Sequence, residues 1–179
     1  RSNGQHQQRQ LESVRCGHAL LKKGASSVDA VIAAIMVMED SPLFNAGKGA
    51  VFSHEGRNEL DASIMEGRQL NAGAIAAVTR VKNPIQLAAR VMTASPHVML
   101  VGEGAEVFAV EQGIPLVDSS YFYTERRWNQ LQKLRESAGS SLSEDKDDDF
   151  EVRDHKFGTV GAVALDSSGD IATGTSLPT

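Results

Sequence analysis

The run Phe157-Gly158-Thr159-Val160-Gly161-Ala162-Val163-Ala164-Leu165-Asp166 constrains this chain more than any other stretch. Its apolar, partly β-branched residues have the length of a buried strand, and the Asp166-Ser167-Ser168-Gly169-Asp170 that follows reads as a hairpin turn. A small, flexible residue, Gly158, precedes a hydroxyl, Thr159, at the head of that strand. Thr159 therefore has two readings: a strand threonine that only packs, or a nucleophile placed where the strand begins. In the second, a chain cut before Thr159 would free an α-amine beside its own hydroxyl. With a reference pKa of about 7.7–8.0, that amine can act as a base near neutral pH.

The 179 residues suffice for one domain with its own core, and 41% hydrophobic with 23% charged residues is ordinary for a soluble globular chain. A net charge of -5 argues against nucleic acid or an anionic membrane as the main partner. Cys16 is the single cysteine, which rules out an internal disulfide and a cysteine-based zinc site and favours a reducing compartment. No apolar run approaches the ~20 residues of a membrane span. The polar opening from Arg1 to Gln8 is no signal peptide. The expected setting is the cytoplasm.

In order, residues 1–10 read as a loose, polar, Gln-rich segment. Leu11 to Lys23 has near-helical apolar spacing, with Gly24 as a stop. Ser26 or Ser27 caps a second helix, apolar nearly all round from Val28 to Met38 and therefore buried. Pro42 blocks its extension. The loop Ser41 to Val51 carries two glycines and an Asn, which allow positive φ and close backbone approach. Ala50-Val51-Phe52-Ser53 and Leu60 to Met65 read as strands around a His54-Glu55-Gly56-Arg57 turn. Asn71 to Thr79 is a further strand, Ile85 to Met92 a helix opened by Asn83-Pro84, Val98 to Val101 a short buried strand, and Glu103 to Gln112 a helix. Ser119 to Arg135 is helical but polar. Glu136 to Arg153, with its acidic run at 144–149, reads as a solvated linker. That run lacks the Gly and final Glu of an EF-hand loop. The division is 1–10, then 11–135, a linker at 136–157, and 158–179. Helices packed on a mostly antiparallel sheet give an α+β class.

Four blocks in order, Ser41 to Gly49, Glu59 to Gly67, Ser95 to Glu106 and Gly158 to Asp166, resemble the plant-type L-asparaginase / isoaspartyl peptidase family of N-terminal-nucleophile hydrolases. The resemblance covers about residues 11–175. It implies an αββα sandwich, made as a precursor that cuts itself and acts as a dimer of paired subunits. It implies Gly158–Thr159 as the scissile bond, Thr159 as the nucleophile and Asn45 as a residue near it. Asn45 also reads as a turn residue taking positive φ, and both roles can coexist. The resemblance further implies a sodium ion held by the backbone carbonyls of Met38, Glu39, Ser41, Phe44, Ala46 and Lys48. Carbonyl oxygens suit a hard cation. No other cofactor is expected. The implied substrates are L-asparagine and β-aspartyl dipeptides.

Two departures qualify this. The family opens with a strand and a His-Gly-Gly-Ala-Gly-like loop, where this chain has Arg1-Ser2-Asn3-Gly4. Leu177 stands where a second active-site Thr is expected, and Thr179 is not that residue. No residue here matches the Arg and Asp that grip the substrate or the Thr-Gly pair of the oxyanion hole. One such donor is worth roughly 2.7–4 kcal/mol of barrier. The expectation is an incomplete sandwich lacking its first strand and most of the C-terminal subunit, with hydrolysis impaired or absent. Such a chain would form a homodimer or associate with a full-length relative through open sheet edges. The alternative is a non-catalytic subunit that only associates with such a relative.

Overall fold

The structure, a computed structural model, describes residues 2–140 and 158–179. Ten main elements follow one another: α1 (Ser2–Lys22), α2 (Ser27–Glu39), β1 (Leu60–Glu66), β2 (Ala72–Val78), α3 (Pro84–Ala94), β3 (Met99–Val101), α4 (Gly102–Glu111), α5 (Glu125–Ser140), β4 (Val160–Leu165) and β5 (Ile171–Pro178). The strands form one sheet in the order β3-β2-β1-β5-β4. All pairings are antiparallel except β2 with β3.

The helices supply one covered face. Ser26 caps α2 by accepting from the Asp29 amide, as its sequence position predicts. From α2, Val31 and Ile35 enter a single core with Ile85, Leu87 and Val91 of α3 and with Leu60, Ala62, Ile64, Ile75, Val160 and Ala172 of the sheet. Each fully buried aliphatic side chain in such a layer stabilises the fold by roughly 1.5–3 kcal/mol. Helix α1 packs on the outside of α2, where the Ser13 hydroxyl donates to the Ala34 carbonyl at 2.7 Å. Among the described residues nothing covers the opposite face of the sheet, called the bare face below. Met65, Val163, Leu165 and Ile171 are all exposed on it. One sheet with helices on one side is consistent with an incomplete αββα sandwich, and the α+β class holds.

Several sequence expectations need correction. Residues 2–10 are not loose but form the first turns of α1. Their Gln and Arg side chains are good helix formers, and the His6 ring bonds the Leu43 carbonyl at 2.8 Å. Residues 50–53 are not a strand. Side chains take the partners a ladder would need: Asn58 Nδ2 donates to the Ala50 and Val51 carbonyls, and Asn45 Oδ1 accepts from the Val51 amide. Strands β3 and β4 are edge strands rather than buried ones, with Val163 68% exposed. An apolar run cannot reveal which of its faces will be covered. The polar helix of 119–135 divides into a 3₁₀ turn at Ser119–Phe122 and α5. The linker expected at 136–157 falls, for residues 141–157, outside the described residues.

Three carboxylates tie elements together. Asp166, in the β4–β5 turn, accepts from the amides of Ser27, Ser168 and Asp170. These bonds, the Ser27 amide foremost, hold its carboxyl below the ordinary range. Glu106 of α4 is buried and accepts from the Thr79 amide and hydroxyl and from the Arg80 amide and guanidinium. Burial pushes its carboxyl up, and the bonds outweigh that and hold it low. Glu39, at the C-terminal end of α2, is fully buried and accepts from the Ile85 amide at 3.0 Å. Its other oxygen lies against the Ser176 hydroxyl without a well-formed bond. Burial raises its pKa from an ordinary 4.5 to about 8, so the neutral acid is the folded form.

Two outcomes are expected. Glu106→Ala strands several part-buried donors and should cost about 1–3 kcal/mol in denaturant unfolding, whereas Glu106→Gln keeps part of the set and should cost less. Between pH 4.5 and about 8 the folded chain binds the Glu39 proton and the unfolded chain does not. Stability should therefore fall as pH rises through that window. Glu39→Gln should flatten that slope and gain on the order of 1–3 kcal/mol over the parent near pH 8. Urea titrations at a series of pH values read both, and parallel slopes would mean that Glu39 ionises normally.

Candidate active site

The site begins where α2 stops. Pro42 ends the helix, and the chain winds through Ser41 to Val51 in a tight loop with a 3₁₀ turn at Gly47–Gly49. Gly47 takes φ +50, and a Cβ there would stand 2.4 Å from the Glu39 carbonyl oxygen. A Cβ on Gly49 would stand 1.9 Å from that of Phe44. Only glycine permits this winding. The positive φ anticipated for Asn45 is not observed, because Gly47 takes it instead.

Asn45 is freed for another task. Its Oδ1 accepts from the Val51 amide at 2.9 Å, which assigns the amide orientation and leaves Nδ2 on the other side. That other side meets Gly158. A Cβ on Gly158 would lie 2.3 Å from the Asn45 Cβ and 2.6 Å from its Nδ2. The structure thus brings Asn45 and Gly158 together although 113 positions (158 − 45) separate them in the chain. Thr159 follows, exposed, one residue before β4.

The register of β4 against β5 sets what stands beside Thr159. Val160 pairs with Ser176, so Thr159 comes level with Leu177, which pairs in turn with Asp61 of β1. One row further along, Gly161 pairs with Thr175 and Thr175 with Ser63. The Ser63 and Thr175 hydroxyls share a hydrogen bond of 2.9 Å on the bare face. Asp61 Oδ1 accepts from the Ala77 amide at 2.8 Å and from the Thr179 hydroxyl at 2.6 Å. Ala77 has φ +54, at the point where the β1–β2 register shifts. Sequence reading did not single out Asp61, Ser63 or Thr175. The alternation Leu60-Asp61-Ala62-Ser63-Ile64 held the signal, since it places the two polar residues on the face away from the core.

Of the six carbonyls implied for sodium, those of Glu39 and Phe44 are the ones drawn against Gly47 and Gly49. The Met38 and Ala46 carbonyls accept from the Ser41 and Gly49 amides, each at 3.1 Å. No group of three or more His, Cys, Asp or Glu side chains that could hold a metal occurs among the described residues. No helix among them is long and apolar enough to cross a membrane. Chemically, the site offers an exposed hydroxyl at a strand head and an amide donor packed on the preceding glycine.

A family profile described as asparaginase matches residues 2–177. An isoaspartyl peptidase of Salmonella typhimurium is 44% identical over 172 residues, which is 92% of this chain and 52% of that protein. One of Escherichia coli is 44% identical over 163 residues, covering 91% and 50%. A human isoaspartyl peptidase/L-asparaginase is 40% identical over 166 residues, covering 93% and 51%. The chain spans about half the length of these curated relatives. With an exposed threonine behind a glycine packed on an asparagine, and a profile match along nearly all of its length, this chain belongs to the asparaginase family.

Proposed function

We propose that this chain carries the cleavage site and nucleophile of a cytoplasmic threonine hydrolase acting on L-asparagine and β-aspartyl dipeptides. The observation that carries the reading is the contact of Gly158 with Asn45 beside an exposed Thr159. Support comes also from relatives named isoaspartyl peptidase and L-asparaginase. In the first step the Thr159 Oγ attacks the Gly158 carbonyl carbon. The Gly158–Thr159 C–N bond breaks, an ester forms, and the hydroxyl proton passes to the departing amine. Water then opens the ester, leaving a Gly158 carboxylate and an N-terminal Thr159. Asn45, whose Oδ1 accepts from the Val51 amide, has its Nδ2 on the side of Gly158, where it can donate to the reacting carbonyl. In turnover the freed α-amine takes the Thr159 hydroxyl proton while Oγ attacks the side-chain amide of the substrate. Ammonia or an amino acid leaves, and water releases aspartate.

The chemistry of the donors suits a hard cation, since backbone carbonyls are its usual ligands, and the close winding of the loop against Gly47 and Gly49 supports that reading. A sodium ion held by the carbonyls of Met38, Glu39, Ser41, Phe44, Ala46 and Lys48 would supply rigidity to the loop that bears Asn45. A second reading is favoured by one observation. Leu177 lies level with Thr159 on the bare face, so an apolar side chain occupies a place beside the nucleophile. Under that reading the chain is a non-catalytic subunit that associates with a longer relative or with itself through this face.

Mass spectrometry of the denatured, purified chain separates the two readings. Cleavage should release a piece spanning residues 159–179, and Thr159→Ala should abolish it while leaving the unfolding curve within about 0.5 kcal/mol of the parent. Gly158→Ala forces a Cβ onto Asn45 and should slow cleavage at least about tenfold through misplacement of the carbonyl. An intact chain after prolonged incubation, with no ammonia released from L-asparagine, would favour the associating subunit. Persistence of the cut in Thr159→Ala would remove Thr159 from the chemistry.

A further inference from the structure

Arg127 of α5 has no place in the chemistry above, and its surroundings are unusual. The residue is 7% exposed. No carboxylate pairs with it among the described residues. Its Nε donates to the Gly49 carbonyl at 2.7 Å, and its Nη1 donates to Gln130 Oε1 at 3.0 Å. Removing a guanidinium from water without a counter-charge is costly. Burial and the neighbouring Arg126 lower its pKa to about 10, and it still keeps its charge at neutral pH. A charge-assisted bond in a dry site is strong and directional, and this one ends on the tightest point of the loop. Gly49 is where Phe44 and Pro42 press on the turn from within. Asn45 follows Phe44 directly, and Val51, whose amide holds Asn45, lies two residues beyond Gly49.

We infer that Arg127 is a positioning residue: by holding the Gly49 carbonyl it sets the turn that presents Asn45 to Gly158. The contact rests on geometry alone, while its consequence for cleavage rests on the function proposed above.

The test uses the full chain with Arg127→Met and Arg127→Lys, each checked for a cooperative unfolding transition. Amide hydrogen exchange at Val51 should quicken about tenfold in Arg127→Met while Ala62 and Ile64 in β1 keep their protection, as expected of a local opening. Arg127→Lys, which keeps a cationic donor, should recover part of that protection. A general loss of packing would give no such rescue. Unchanged Val51 exchange in folded Arg127→Met overturns the inference. Should that variant fail to fold, Val51 exchange in Arg127→Lys decides in the same sense: faster supports, unchanged overturns. Formation of the 159–179 piece should slow about tenfold in Arg127→Met, and an equal rate in the two proteins overturns the link to cleavage. If even the parent never cleaves, the cleavage reading fails by itself and Val51 exchange alone judges the contact.

Discussion

Close approach of backbone to backbone in the loop after α2 is the constraint on which the candidate site depends. Gly47 and Gly49 let the loop fold on itself until carbonyls press on Cα atoms, and Gly158 lets the strand head press on Asn45. Each contact leaves no room for even a methyl group. Loops with this density have few alternative arrangements, so the amide of Asn45 is held by packing as well as by its bond from Val51. A site built this way is rigid on the loop side. Freedom remains on the other side, at the exposed Thr159.

The sheet explains why that residue is reachable. Helices α2 and α3 bury one face, and the other carries Met65, Val163, Leu165 and Ile171 in the open together with the Ser63–Thr175 hydroxyl pair. A strand's alternation sends Val160 into the core and leaves the neighbouring residues outside. Thr159 therefore stands beside the apolar Leu177 of β5, with Asp61 of β1 beyond it and exposed apolar residues further along β4. Such a surface suits a second layer, and an uncovered edge strand with neither charge nor proline is prone to pair with another chain.

Much of the element order was legible because it depends on local rules. The Ser26 cap, the stop at Gly24, Pro84 at the start of α3 and the Asp166–Asp170 turn all act within a few residues. The Asn45 loop was legible as a tight turn, though not which residue would bear the positive φ. What stayed hidden depends on partners far away in the chain. Residues 50–53 have strand-like composition but lose their ladder partners to Asn45 and Asn58. Glu39, Glu106 and Arg127 look like ordinary surface charges in a helical pattern, and their burial follows from elements that pack on them. The polar helix at residues 2–10 escaped notice because it has no apolar stripe to announce it.

By itself the sequence determined the candidates: a threonine behind a glycine at the head of a β-branched run, and an asparagine in a glycine-rich loop. The threonine is written in side-chain type and local spacing, which need no tertiary contact to be read, whereas the asparagine was picked out by the family resemblance of its loop. Only the tertiary structure decided that the asparagine and the glycine touch, that Leu177 comes level with the threonine, and that the described residues leave one sheet face uncovered. The physical reason is that register and burial are set by long-range packing, where a single-residue slip would turn every side chain of a strand to the opposite face.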